Sequence, residues 1–402
     1  MDPDTSAQPP TYAHLPEELL ASIMQQIPET VERVNSMFSV DDKSIVNGMD
    51  ILRSKDLIRK ISTTDSTDSL VAVDGGLVLE KMTGMDLLLS LAVGVEGLSE
   101  DKKVDWGSNK NQYISWQWAL PHHVANSSLA QGIMFLMEMS VLSSSKHEIR
   151  IMDGSHLTSV IKLNSMLSAK DDGAGEEYIE ALKQFLKRTY EKVIPDIPNI
   201  LRDAYANECI VGAVKYSSST DVIDHYLDGS GIRIDDKTFF GLGLNENEYL
   251  SPLPVGRSAK EDNLWGQLHI KYNLDIEGVD KSEFDRLLEE AIQPLKTRGL
   301  NQHLKEPDLF YTYYKPFEDG PAYKLEIKRP VAMNKERLEK VLNSIRKQVV
   351  FPEIIEPYPQ FLVDLVAKSV AGGMYAIKEA ILLSPNTDVT NGKFNLLRNY
   401  RT

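Results

Sequence analysis

The stretch SLVAVDGGLV, residues 69–78, sets the tightest condition on how this chain folds. Its small and β-branched apolar residues read as a buried strand. The strand ends on Asp74 and a glycine pair, so a carboxylate is pushed out where the chain leaves the core. The same grammar returns in IRIMDGSHLTSVI, residues 149–161, where an apolar strand ends on Asp153 and Gly154. Between them, SLAQGIMFLMEMSVLSSS (128–145) has helical length and a wide apolar stripe, with Glu138 inside it. An unpaired buried carboxylate is costly. Crowded acidic oxygens repel one another, and a divalent cation is the usual remedy. Oxygen ligands without Cys or paired His favour Mg²⁺ or Mn²⁺ over Zn²⁺. Asp74, Glu138 and Asp153 are therefore candidate metal ligands; the plain alternative for each Asp-Gly is a strand running into a turn.

At 402 residues the chain has room for one large domain or two to three smaller ones. No run approaches the roughly 18–20 apolar residues of a membrane span, and the acidic, Pro-rich start lacks a signal-peptide pattern. The single Cys209 excludes an intramolecular disulfide and a Cys-based zinc cluster. A cytoplasmic protein without membrane attachment is expected. A net charge of −15 argues against non-specific coating of nucleic acid. A local basic channel stays compatible with it: residues 324–347 hold eight Lys or Arg against three Glu. That strip is either a solvated helix face or a nucleic-acid-facing surface.

The hydrophobic pattern predicts helices over 15–27, 128–145, 176–194, 334–349 and 358–382. It predicts strands over 69–78, 149–153, 209–217, 264–274, 308–317 and 322–331, the last two forming a hairpin around EDGP; 85–98 reads as a strand or short helix, its glycines favouring strand. Strands alternating with helices, plus a hairpin, predict an α/β fold with a partly antiparallel sheet. The expected organisation is a disordered tail over 1–12, a helical segment over 13–64 and one domain over 65–402. GIRIDDKT (231–238) nearly scans as a phosphate-binding loop, but Asp236 stands where a glycine must precede Lys237 and would repel phosphate. His122 and His123 are adjacent and poorly placed to share a face, and His156 and His225 read as satisfied structural groups. No Gly-x-Ser-x-Gly elbow is present.

With VAVDGG, FLMEMSVLSS, IRIMDGS, CIVGAVKYSSS and PYPQFLVDLVAKSV in this order, the chain resembles the NurA nuclease family over roughly residues 65–375. The resemblance implies an RNase H-like mixed central sheet flanked by helices and a Mn²⁺- or Mg²⁺-dependent deoxyribonuclease that processes DNA ends. It implies a homodimer working with a HerA-type hexameric translocase ATPase, in DNA repair or antiviral defence. By motif, the family's metal-binding acids fall on Asp74, Glu138 and Asp153. Lys215 becomes a phosphate contact, and Tyr358 a catalytic residue that orients substrate. The family carries a His eight residues after that Tyr; here the position is Val366, and Asp364 or Lys368 stands in. Two other readings remain: an actin- or sugar-kinase-like ATP-binding protein, and a catalytically weakened adaptor of the translocase.

Overall fold

The computed structural model describes residues 15–37, 42–64, 67–98, 112–168, 176–188, 208–255, 309–350 and 354–385, with 387, 395, 396 and 398. The expected tail over 1–12 and the strand over 264–274 lie outside the described residues. Three helices come first, α1 (Glu17–Gln25), α2 (Ile27–Met37) and α3 (Asp42–Ser54), followed by β1 (Ile58–Lys60). A meander of β2 (Leu70–Lys81), β3 (Asp86–Glu96) and β4 (Tyr113–Leu120) leads into α4 (Asn126–Ser144) and β5 (Ile149–Asp153). Then come α5 (His156–Ser168), α6 (Glu176–Arg188), β6 (Ile210–Val214), α7 (Asp221–Tyr226) and α8 (Asp236–Gly243). Short β7 (Glu248–Leu250) and β8 (Leu253–Pro254) precede the hairpin of β9 (Leu309–Tyr314) and β10 (Tyr323–Lys328). Helices α9 (Arg329–Ala332), α10 (Lys335–Arg346), α11 (Tyr358–Lys368) and α12 (Val370–Leu383) follow.

Among the described residues one mixed sheet carries the ten strands, in the order β1-β7-β9-β10-β6-β5-β2-β3-β4 with β8 on β9. Strands β2, β5 and β6 are parallel, and the remaining neighbours are antiparallel. The block β4-β3-β2-β5-β6, three antiparallel strands continued by two parallel ones, is the RNase H-like arrangement expected above.

Side chains alternate across the sheet. Val71, Val73, Met152 and Ile210 join the core under α4, α5 and α6. Leu70, Ala72, Ile149, Ile151, Val211 and Ala213 join the core under α10 and α11. β2 is longer than its parallel neighbour: the β2–β5 pairing ends at Val73 and Met152, while β2 stays paired with β3 as far as Lys81. From Asp74 onward one edge of β2 is therefore open, and helices approach there. A Cβ at Gly75 would sit 2.4 Å from Oε1 of Glu138 on α4, and one at Gly76 would sit 2.1 Å from the Ala367 carbonyl oxygen on α11. The glycine pair is a packing requirement on both faces.

Three readings of the sequence need correction. The stretch 358–382 is two helices, broken at Ser369. The basic strip over 324–347 is not a plain solvated face, because its cations are largely engaged internally. Arg337 and Lys340 pair with the buried Asp68, Arg346 pairs with Glu246 at 3.2 Å, and Lys324 donates to Ser217 at 3.0 Å. β4 escaped the reading, although its burial alternates. Asp236 finds its reason: its carboxylate accepts the N–H groups of Val222 and Ile223 at 3.0 and 3.1 Å, capping α7 from another element.

Gly76→Ala should destabilise the protein by about 1–3 kcal/mol, since the carbonyl it meets belongs to backbone. Gly372→Ala, inside α12 with open space around it, should stabilise by about 0.5–1 kcal/mol. Urea unfolding of both variants checks the pair, and a neutral Gly76→Ala would refute the close-approach argument.

Candidate metal centre

The alternation that sorts the core also sorts the charges. Asp74, Asp153 and Lys215 continue the series that faces α11, so three side chains from three parallel strands emerge on one face. From α11, Asp364 comes down to meet them. Asp74, Asp153 and Asp364 each offer a carboxylate oxygen, and these oxygens lie within 4.8 Å of one another. Lys215 Nζ lies 3.2 Å from Asp153, 3.2 Å from Asp364 and 3.3 Å from Glu356. Gln360 Nε2 donates to Asp153 Oδ1 at 3.1 Å, and Lys368 Nζ donates to Asp364 Oδ2 at 2.6 Å. Asp74 accepts only the Gly75 N–H among the bonds seen at its carboxylate, at 2.8 Å.

Glu138 arrives from the opposite face. Its helix packs on the other side of β2, and its carboxylate reaches the open edge through the space Gly75 leaves. It lines the same cleft of about 440 Å³ as Asp74, Asp153, Asp364 and Lys368. Glu138 is buried, as expected, but it stands beside the three-acid cluster rather than inside it.

The electrostatics follow from crowding. Burial and the Asp153 charge push Asp74 up to about 7, against the pull of Lys215 and the Gly75 N–H. Burial, then Asp74 and Asp153, push Glu138 well above the carboxylate range. Burial also raises Asp153, with Lys215 and Gln360 opposing it. At Asp364 burial is outweighed by Lys368 and Lys215, which hold its carboxyl low. Burial disfavours the charge on Lys215, but Asp153, Glu356 and Asp364 together raise it. The donor set is all oxygen, and its acids resist ionising together. Both properties fit a hard divalent cation.

Tyr358 is placed differently from the acids. It opens α11, its N–H donates to the Gln348 carbonyl, and its ring lies 6.3 Å from that of Phe361; it does not line the cleft. Val366 is exposed. The spacing of eight that the family pattern sets on Tyr358 and Val366 is met at the cluster by Glu356 and Asp364, two positions earlier. Glu356 and Gln360 were not read from the sequence. Gln360, Asp364 and Lys368 recur every four residues on an otherwise apolar helix, and that polar stripe was the available signal.

The sequence model of the NurA domain matches residues 68–365. The chain belongs to the NurA family. Among solved structures, the NurA nuclease from Sulfolobus solfataricus is 12% identical, aligned over 92% of this chain and 100% of its own, with a TM-score of 0.51. At that identity the likeness is one of fold. A NurA bound to dAMP and manganese is 16% identical, aligned over 93% of this chain and 99% of its own, with a TM-score of 0.43. No curated protein matches this NurA chain in sequence. No helix among its described residues is long and apolar enough to cross a membrane.

A pH dependence follows. Asp74 is raised in the folded state, so the stability of its protonated form is present below about 4 and is lost as pH rises through about 7. A cation bound to the ionised acids reverses that loss. The rise in Tm on adding Mn²⁺ should therefore be larger at pH 8 than at pH 5.5. Apparent Mn²⁺ affinity should fall by up to about tenfold per pH unit below 7 for each proton displaced. Asp74→Asn should flatten both trends, and a Mn²⁺ response independent of pH would contradict the assignment.

Proposed function

We propose that this NurA-family chain is a divalent-metal-dependent deoxyribonuclease that hydrolyses phosphodiesters at DNA ends. The observation that carries the reading is the cluster of Asp74, Asp153 and Asp364 around Lys215 on one sheet face. Family membership adds to it.

In this reading Asp74, Asp153 and Asp364 hold Mn²⁺ or Mg²⁺, and Glu138 completes the oxygen shell through the gap at Gly75. A cation bound there would supply Lewis acidity for activating water and for stabilising charge on the departing oxygen. Lys215 holds Asp153 and Asp364 in place and presents its ammonium to the phosphate backbone. Gln360 fixes the orientation of Asp153. Tyr358 orients substrate from the start of α11 rather than from the cleft wall. The proposed partner is a HerA-type ATPase hexamer, with the nuclease a homodimer in DNA repair or antiviral defence. A cytoplasmic setting and a single domain over 65–402 complete the proposal.

Linear DNA should be degraded in Mn²⁺ or Mg²⁺ and spared in EDTA, with a HerA-type ATPase increasing processivity. Asp74→Ala and Asp364→Ala should each slow cleavage by at least about a hundredfold, the order lost with one charge-stabilising group. Val366→Ala should cleave at the parent's rate. DNA left intact in both metals with the ATPase present would favour the adaptor reading. Loss of activity in Val366→Ala with none in Asp364→Ala would restore the family register at Tyr358 and Val366.

A further inference from the structure

A second cavity adjoins the carboxylate cleft through the contacts of Lys215 and Gln360 with Asp153. Lys215, Glu356 and Gln360 line it; Lys215 reaches Asp153 and Asp364 from this side, Gln360 reaches Asp153, and Glu356 pairs with Lys215. Its inner walls are apolar, from Ile151, Ala213 and Leu325 on the sheet and Ile345 and Pro357 on the helical layer. Tyr323, also lining it, is 8% exposed, and its hydroxyl has no hydrogen-bond partner among the described residues. A buried hydroxyl without a partner loses its bond to water and gains nothing in return.

The rim has the opposite character. Tyr216, directly after Lys215, is 93% exposed, and Ile355 is 65% exposed. Lys237 and Lys324 stand beside Tyr216 on the cavity wall. Lys237 Nζ donates to the carbonyls of Val214 and Lys215, which fixes the turn presenting Tyr216. Lys324 is held by Ser217 and lies 5.1 Å from the Tyr311 ring centroid. An exposed tyrosine alone needs no explanation. Here it stands among three ammonium groups, over an apolar cavity with a polar group at its wall, next to a candidate metal site.

We propose that this cavity is a base-binding subsite for the nucleotide adjoining the scissile phosphate of a single strand. The inference rests on the nuclease reading above. A nucleobase offers a flat apolar face, polar edges and an adjoining phosphate. The apolar walls and Tyr216 match the face, the Tyr323 hydroxyl matches an edge, and the lysines match the backbone charge. A free phosphate would leave the apolar walls unused. A paired base would already be stacked on its neighbours, so the subsite selects an unpaired strand.

Binding of a fluorescein-labelled oligo-dA, in Ca²⁺ in place of Mn²⁺ to suppress cleavage, tests the proposal by anisotropy. A strand of equal length built from abasic residues serves as the second probe. Tyr216→Ala should weaken oligo-dA binding about 5- to 100-fold. Tyr216→Phe, which keeps the ring, should stay within about twofold of the parent. Binding of the abasic strand and the Mn²⁺-induced rise in Tm should be unchanged in both variants. If Tyr216→Ala binds oligo-dA as the parent does, or the parent binds both strands equally, the subsite is overturned. The nuclease reading fails on a separate result, a parent protein that leaves DNA intact in Mn²⁺ and in Mg²⁺.

Discussion

Carboxylates whose oxygens lie within 4.8 Å of each other cannot all carry charge without help. At that separation two unit charges repel by about 3–4 kcal/mol at an effective dielectric of about 20, and burial at Asp74 adds to it. The parallel strands make this crowding unavoidable. Once β2, β5 and β6 run side by side, the residues at their ends that face α11 are Asp74, Asp153 and Lys215. Lys215 is the fold's own partial answer. Its ammonium is shared by Asp153, Glu356 and Asp364, which ties two strands to α11 and to the segment before it. Asp74 has no such share and shows the largest response among the three clustered acids, its pKa pushed up to about 7.

The glycine pair after Asp74 serves the same purpose by geometry. Any side chain at 75 would collide with Glu138, and any at 76 with the backbone of α11. Bulk at either position would move a helix away from the open edge of β2 and with it an acid, Glu138 on one face or Asp364 on the other. Chain direction is fixed in a similar way beyond Asp153. Gly154 turns with a φ of 92°, and the next two residues are caught by Glu326, which accepts from Ser155 Oγ and the His156 N–H at 3.0 Å each. Asp153 therefore sits between a paired strand and a capped helix, with little freedom to withdraw.

Much of this was legible in the sequence, and the limits have physical causes. Strand 149–153 was read to the residue, because apolar runs ending in Asp-Gly leave little choice. The mixed sheet followed from the alternation of strands and helices plus one hairpin. Asp364 was read only as a stand-in for a missing His. A helix's period tells which residues share a stripe, not which sheet face the stripe meets, so nothing in 358–368 said that Asp364 faces Asp74. Glu138 was read as a third ligand completing the shell because burial is visible in an apolar helix, whereas the face of the sheet it approaches is not. β4 was missed since Tyr113, Ser115 and Gln117, on its exposed face, leave no continuous apolar run, and its alternation is that of an edge strand with one wet face. The basic strip over 324–347 misled through local charge, because its acidic partners, Asp68 and Glu246, lie far away in sequence.

The charges at the two linked cavities also constrain what completes the site. Among the described residues, Asp74, Glu138, Asp153, Glu356 and Asp364 face two ammonium groups that pair with them, Lys215 and Lys368. Five acids against two cations leave three negative charges if all ionise. One divalent cation removes two of the three. The remaining charge is most readily given up at Glu138, which is the deepest of the acids and the one that both Asp74 and Asp153 push upward. A protonated carboxyl keeps an acceptor oxygen, so Glu138 can stay neutral and still contribute to the oxygen shell. Its burial on the far face of the sheet separates two roles: the low-dielectric approach through Gly75 sets its protonation, while the clustered aspartates on the near face carry the charge that the proposed cation would balance.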